Sequence, residues 1–259
     1  MKIKQISLLM LLALILFTIN VNGNRVFSWY CIRNKNHMQP ELGKDLKIAE
    51  GFDVYWCDKN HTDYQDEDKV IYLTFDAGYE NGNIEKILDV LKEENVCSAF
   101  FVLDNVILKN KQLVKRMIDE GHIVANHTLK HKDMSKINNI DEFEAELTSL
   151  EQLYKESFNV DMKKYYRPPE GKFSEENLRW AQDLGYKTVM WSFAYADWDN
   201  NNQPSKEYAM NKILDNLHNG EVILMHPTSD TNAKIMSELI KKLKATGFRF
   251  GDLDELCAY

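Results

Sequence analysis

The chain has 259 residues, of which 44% are hydrophobic and 28% charged, and a formal net charge of −8. That length and apolar content suffice for one sizeable core in a single α/β domain. Its basic residues are scattered, which argues against nucleic acid as a partner, because phosphate neutralisation draws on grouped Lys and Arg.

Lys2 and Lys4 precede an apolar run over 6–19, followed by Val21-Asn22-Gly23-Asn24. A basic start, a short apolar core and small residues before a cut read as a secretory signal over 1–23, cleaved or kept as an anchor. The run is shorter than the roughly 20 residues of a membrane span. The expectation is therefore an exported protein of the cell envelope, touching membrane only through this segment and acting as a monomer. Residues 24–68 form an N-terminal extension ahead of a domain over 69–259. An exported chain permits disulfides, and Cys31 and Cys57, both before the first core strand, are free to pair. None of the four cysteines lies in a C-x-x-C motif, and Cys97 reads as a small core residue of an apolar strand.

From Lys69 onward, short β-rich runs alternate with helical patterns. Residues 70–75 form a buried strand, 83–94 a helix with Ile84, Ile87, Leu88 and Leu91 on one face, and 97–102 the next strand. Leu113, Val114, Met117 and Ile118 mark a helix that Gly121 ends, before a short strand over 123–125 and a long helix over 141–158. Tyr165-Tyr166 runs into Arg167-Pro168-Pro169, where proline stops the strand. Ser174 caps a helix to Leu184, and strand 187–191, helix 208–217, strand 221–225, helix 232–245 and strand 248–251 complete the chain. Seven strands alternating with helices imply a mostly parallel sheet with helices outside. A seven-membered barrel and an open doubly wound sheet both satisfy the pattern. In either, function gathers at the carboxyl ends of the strands.

Five chemically capable residues fall at those ends: Asp76, His127, Arg167, Asp197 and His226. His127-x3-His131 offers two imidazoles to one divalent cation if a helical turn presents them together. Asp76, beside Gly78, is placed to bind metal, to act as a general base, or merely to cap a turn. His226 is suited to protonate a leaving amine, and Asp197 to orient a histidine. The aromatic run over 191–198, with Trp191 and Trp198, is suited to a sugar-binding wall, though such runs more often serve the core.

Taken in order, TFDAG (74–78), HTLKH (127–131), RPPEG (167–171), ADW (196–198) and LMHP (224–227) resemble the five motifs of the polysaccharide deacetylases, carbohydrate esterase family 4. Flanking segments SWYCIRNKNHMQPE (28–41), YENG (79–82), WSFAYADWDNNNQ (191–203) and DTNA (230–233) resemble the muramic δ-lactam-forming peptidoglycan deacetylases of spore formers. The resemblance implies a distorted seven-stranded (β/α) barrel. It implies N-deacetylation of N-acetylmuramic acid in a peptidoglycan strand for lactam formation in spore cortex. One divalent metal is implied, zinc first, with manganese or cobalt as alternatives, held by His127 and His131 with Asp76 as a further ligand. By the same likeness, Asp76 is the base, His226 the acid tuned by Asp197, and Arg167 the partner of Asp76. Glu170, Trp191 and Trp198 contact substrate, and the backbone N–H near Glu170 serves the oxyanion. Two positions depart from the family pattern: Ala77 stands where a second aspartate is usual, and Glu170 where aromatic or basic residues are. A chitin-like or exopolysaccharide substrate, O-acetylated xylan, and a non-catalytic glycan-binding relative are the alternatives.

Overall fold

A computed structural model describes residues 25–33 and 35–258, so the signal segment expected over 1–23 lies outside the described residues. The strands run in chain order: β1 Val26–Ser28, β2 Cys31–Ile32, β3 Glu41–Leu42, β4 Val54–Tyr55, β5 Lys69–Ala77, β6 Ala99–Val102, β7 Ile123–Asn126, β8 Tyr165–Tyr166, β9 Lys172–Ser174, β10 Lys187–Val189, β11 Glu221–Met225 and β12 Phe248–Phe250. The main sheet is parallel, in the order β11-β5-β6-β7-β8-β10-β4, with β12 also joining β5.

Strand β5 organises this sheet because it is apolar on both faces. Ile71, Leu73, Phe75 and Ala77 point into the layer shared with the helices. Val70 and Tyr72 point the other way, into a lumen shared with Phe101, Ala125, Val189 and Val222. Two-residue alternation carries that lumen-facing set on through Thr74 to Asp76, at the carboxyl end. The chain beyond β10 curls back to close the sheet on β11. There the Ser192 amide donates to the Val222 carbonyl at 3.0 Å, and the Leu224 amide to the Phe193 carbonyl at 2.9 Å. The result is the distorted (β/α) barrel. Its seven expected strands all appear, and an eighth, the two-residue β4, comes from the stretch before Lys69 and pairs with β10.

Residues ahead of Lys69 also wall the barrel near its carboxyl end. β1 pairs with β9, and Phe27 stacks on Phe173 at 5.4 Å between centroids. Trp29 packs edge-on against Trp56 and donates its indole N–H to the Trp191 carbonyl at 2.9 Å. Burying each such aromatic contributes about 1.5–3 kcal/mol. Gly171 lets the wall close. Its φ is +63°, and a Cβ there would stand 2.7 Å from the Trp191 ring and 2.9 Å from the Trp29 Cβ.

Local signals act as expected at several helix starts. Ser174 caps Glu175–Asp183 reciprocally with Asn177, whose backbone N–H donates to the Ser174 hydroxyl at 3.1 Å while its side-chain oxygen accepts the Ser174 N–H. Other readings need correction. Cys97 is exposed, not core, because the left-handed turn at Asn95 (φ 52°) delays the next strand until Ala99. Cys31 and Cys57 are free thiols; Cys31 donates to the Trp191 carbonyl and Cys57 to the Gln39 side chain. Helix Asp104–Lys109 was not anticipated from the periodicity.

Candidate active site

Asp76 sits near the end of β5, facing the lumen. Arg167, which follows β8, reaches it from below with its side chain fully buried. One guanidinium nitrogen donates to Asp76 Oδ1 at 2.8 Å. The others donate to the Thr74 hydroxyl at 2.9 Å and to the Val189 and Met190 carbonyls at 2.9 and 3.1 Å. The guanidinium lies 4.1 Å from the Phe101 ring centroid. Arg167 is thus held by every nitrogen, and the planar fork fixes the carboxylate in turn. Burial alone would raise the Asp76 carboxyl. The nearby His127, Arg167 and His226 outweigh it and hold the group below its usual range.

His127 follows β7, with its Nδ1–H donated to the Arg167 carbonyl at 2.8 Å. That bond leaves the Nε2 lone pair facing Asp76 Oδ2, 3.5 Å away. Burial, with the nearby positive groups, pushes His127 down to about 4, so it is neutral and able to ligate. His131 stands beside it, with ring centroids 5.1 Å apart and the rings nearly perpendicular. The pair does not sit on a helical turn, as the spacing suggested. A loop presents it, with Thr128 and His131 both in the left-handed region (φ 71° and 56°). Asn126 Oδ1 accepts the Thr128 N–H at 2.9 Å, and the Thr128 hydroxyl accepts the His131 N–H at 3.0 Å, which stabilises the turn. His127, His131 and Asp76 all face the cleft, and His127 is a neutral imidazole with its second nitrogen anchored, but the ligand atoms of the three do not all come within 4.8 Å of one another, so they stand as an open donor set for a divalent cation.

Across the cleft, His226 follows β11 and donates Nδ1–H to Asp197 Oδ1 at 2.7 Å. The second oxygen, Oδ2, accepts the His226 backbone N–H at 2.8 Å. Burial would lower His226, but the bond to Asp197 and the charges of Asp197 and Asp76 raise it above its usual value. Trp198 stands edge-on to the imidazole at 6.3 Å and is 61% exposed.

These groups surround one cleft of about 670 Å³ at the carboxyl ends of the strands. Asp76, His127, His131, Glu170, Trp191, Trp198 and His226 all line it. Asp197 and Arg167 stand behind, buried, and touch the cleft through their partners. Glu170 adopts φ 56°, ψ 11°, a strained conformation for a non-glycine, and its exposed carboxylate pairs with Lys172. Gly78, Tyr79, Ala194, Tyr195, Leu224 and Thr228 complete the lining; all but Thr228 lie within the motif segments read from the sequence, though none carries a role there.

A second group of ligand-type atoms lies at the other end of the sheet, where Asp58, His61 and Glu255 come within 4.8 Å of one another. Its hydrogen-bonding capacity is already engaged. Tyr72 donates to Asp58 at 2.6 Å, His61 bridges Asp58 and Asp68, and Arg249 binds Glu255 through two nitrogens. It is a polar plug, remote from the cleft.

A family model described as polysaccharide deacetylase matches residues 63–189. The peptidoglycan-N-acetylmuramic acid deacetylase PdaA of Bacillus subtilis is 40% identical over 235 residues, covering 90% of this chain and 86% of that protein. The chain belongs to the polysaccharide deacetylase family. The solved structure of Bacillus subtilis PdaA, a family 4 carbohydrate esterase, shares the fold with a TM-score of 0.83 at 38% identity, over 90% of this chain and 97% of that one. A family 4 carbohydrate esterase from Bacillus anthracis follows, with a TM-score of 0.73 at 34% identity, over 91% and 98% of the two chains. The chain is therefore a deacetylase by family, and its cleft occupies the strand ends where a parallel barrel builds its chemistry.

Proposed function

We propose that the protein hydrolyses the N-acetyl amide of N-acetylmuramic acid in peptidoglycan, outside the cytoplasm, in preparation for muramic δ-lactam formation in spore cortex. One observation carries the chemistry: a carboxylate held ionised by Arg167 and an imidazole held by Asp197 face each other across a single cleft. Similarity to PdaA along nearly the whole chain supports the choice of substrate.

Asp76 Oδ2, the oxygen not taken by Arg167, accepts a proton from a water in the cleft. That water's oxygen forms a bond to the acetyl carbonyl carbon, and the carbonyl electrons move onto oxygen. The backbone N–H of Glu170 stabilises the oxyanion, since those of Gly171 and Lys172 are donated to the Pro168 and Pro169 carbonyls; such a donor contributes up to several kcal/mol in acyl transfer. His226 then gives its Nε2 proton to the sugar nitrogen as the C–N bond breaks, leaving acetate and a free amine. Asp197 keeps that imidazole in the orientation and charge state the step needs. A divalent cation, zinc first, would be held by His127 and His131 beside Asp76, and when bound supplies Lewis-acid polarisation of the carbonyl. Trp191, Trp198 and Glu170 contact the sugar ring and its substituents.

The test is acetate release from purified peptidoglycan and from glycan strands stripped of stem peptides. The parent protein, supplied with zinc, manganese or cobalt, releases acetate from muramic residues as read by mass spectrometry. Asp76→Asn and His226→Ala abolish that release. No release from any peptidoglycan form, or release from chitin oligomers alone, would overturn the substrate reading.

A further inference from the structure

The paired acid of the proposed mechanism does not stand alone. Asp197 is 1% exposed, and its carboxylate has no Lys or Arg ion pair among the described residues. Its charge is answered by N–H donors: the His226 ring and backbone, and the side chain of Asn232. Asn232 is fully buried in the first turn of helix Asp230–Ala245. Its Nδ2 donates to Asp197 Oδ2 at 2.6 Å and to the His226 carbonyl at 3.0 Å. One amide group therefore ties the acid's carboxylate to the backbone of the imidazole it serves.

The direction of that amide is not free. The buried Tyr195 hydroxyl donates to Asn232 Oδ1. A flipped amide would turn its oxygen on two acceptors, the Asp197 carboxylate and the His226 carbonyl. Those acceptors set the rotamer, and the Tyr195 hydroxyl completes it by donating to the amide oxygen. The loop bearing Asp197 is stapled to the same helix start by Gln203, whose Nε2 donates to the Asp197 and Asp199 carbonyls while its Oε1 accepts from the Ser229 hydroxyl.

We infer that Asn232, buttressed by the Tyr195 hydroxyl on its oxygen, is a positioning residue for the reaction. Joining the His226 backbone N–H on Asp197 Oδ2 and also holding the His226 carbonyl, it fixes the carboxylate whose Oδ1 receives the His226 ring, and with it where the imidazole's Nε2 proton points in the cleft. This rests on His226 being the acid. The charged groups facing that ring are Asp197, Asp76 and Arg167, and Trp198 covers its edge.

The experiment uses the full chain, with muramic-acid-containing glycan strands as substrate, and compares Asn232→Leu, Tyr195→Phe and His226→Ala with the parent. Loss of one donor to a buried carboxylate lowers kcat roughly 10- to 100-fold in Asn232→Leu and leaves KM unchanged. The strongly hydrogen-bonded Nδ1 proton of His226, seen far downfield by proton NMR in the parent, moves upfield or vanishes. Tyr195→Phe, which keeps the ring and the fold, shifts both readouts the same way by a smaller factor. If Tyr195→Phe and any folded Asn232→Leu keep the parent kcat and proton resonance while His226→Ala is inactive, the positioning role is wrong. If His226→Ala keeps its activity, the acid assignment beneath it fails instead.

Discussion

Replacing Arg167 with Met separates the two things this residue does for the cleft. Its side chain is 0% exposed and that of Asp76 only 10%, with the closest pair of atoms at 2.8 Å. Unit charges about 4 Å apart at an effective dielectric of about 20 attract by about 4 kcal/mol. Breaking a buried pair by removing one partner costs about 3–5 kcal/mol, because the surviving charge is left in a dry place. Met fills similar volume beside Phe101, so the loss combines the broken ion pair with the donors removed from Thr74, Val189 and Met190. Urea unfolding at pH 7 with chelator present reads it as a drop of that size. Acetate release falls at least about 100-fold, since burial then raises the Asp76 carboxyl and removes the ionised base. The double variant Arg167→Met/Asp76→Asn has neither charge, so it recovers about half or more of the lost stability while staying inactive. A single variant within about 1 kcal/mol of the parent, or a double variant showing the full sum of both losses, would refute this account of the pair.

Stability should fall in mild acid. Burial pushes His122 and His218 down to about 4 from an ordinary 6.5. The unfolded chain therefore takes up protons first as pH drops from about 6.5 to about 4, and each costs the fold on the order of 3 kcal/mol. His226, raised in the fold, works the other way, and its contribution is lost as pH rises through its folded value. Thermal unfolding midpoints between pH 7 and 4.5, measured with chelator, should drop, and His218→Asn should flatten the slope; a flat profile in the parent would contradict it. Trp198→Ala, at an exposed position, should raise KM several-fold and leave stability within about 0.5 kcal/mol; an unchanged KM removes Trp198 from the substrate wall. Chelation should lower acetate release, and zinc should restore it in the parent, with affinity at least about tenfold weaker in His131→Ala by titration calorimetry; equal affinity would place the cation elsewhere.

The parallel sheet was legible because β5 is apolar on both faces and its neighbours repeat that pattern at helical distances along the chain. Reading which residues follow those strands then located Asp76, His127, Arg167, Asp197 and His226 together. Residue spacing could not show how His127 and His131 meet. The loop depends on left-handed backbone at Thr128 and His131, held by Asn126 and Thr128 side chains, and neither residue advertises a positive φ. Strand β4 escaped because two residues carry no periodicity; only its partner β10 makes them a strand. Cys97 was misread because apolar neighbours at Val96 and Ala99 hide the turn at Asn95. The bond from Asn232 to Asp197 crosses 35 residues of sequence, a contact that only folding creates.

Ala77 sharpens what Arg167 is for. The two positions differ by one step of the pleat: Asp76 faces the cleft, while Ala77 lies in the apolar layer against the helices. No second carboxylate of β5 therefore reaches the cleft, and the remaining lining acid, Glu170, is drawn toward Lys172 at the rim. Asp76 must divide its two oxygens. Oδ1 belongs to Arg167, and Oδ2, 3.5 Å from His127 Nε2, is the one left to meet a water or to join a cation. A carboxylate that depended on a cation for its charge would lose both roles whenever the cation left. Arg167 eases that dependence, since its fixed guanidinium, held by four hydrogen bonds, acts with His127 and His226 to keep Asp76 ionised. The ionised state of Asp76 is thus supported by the protein's own charges, and a cation held beside it would supply polarisation of the carbonyl in the proposed mechanism.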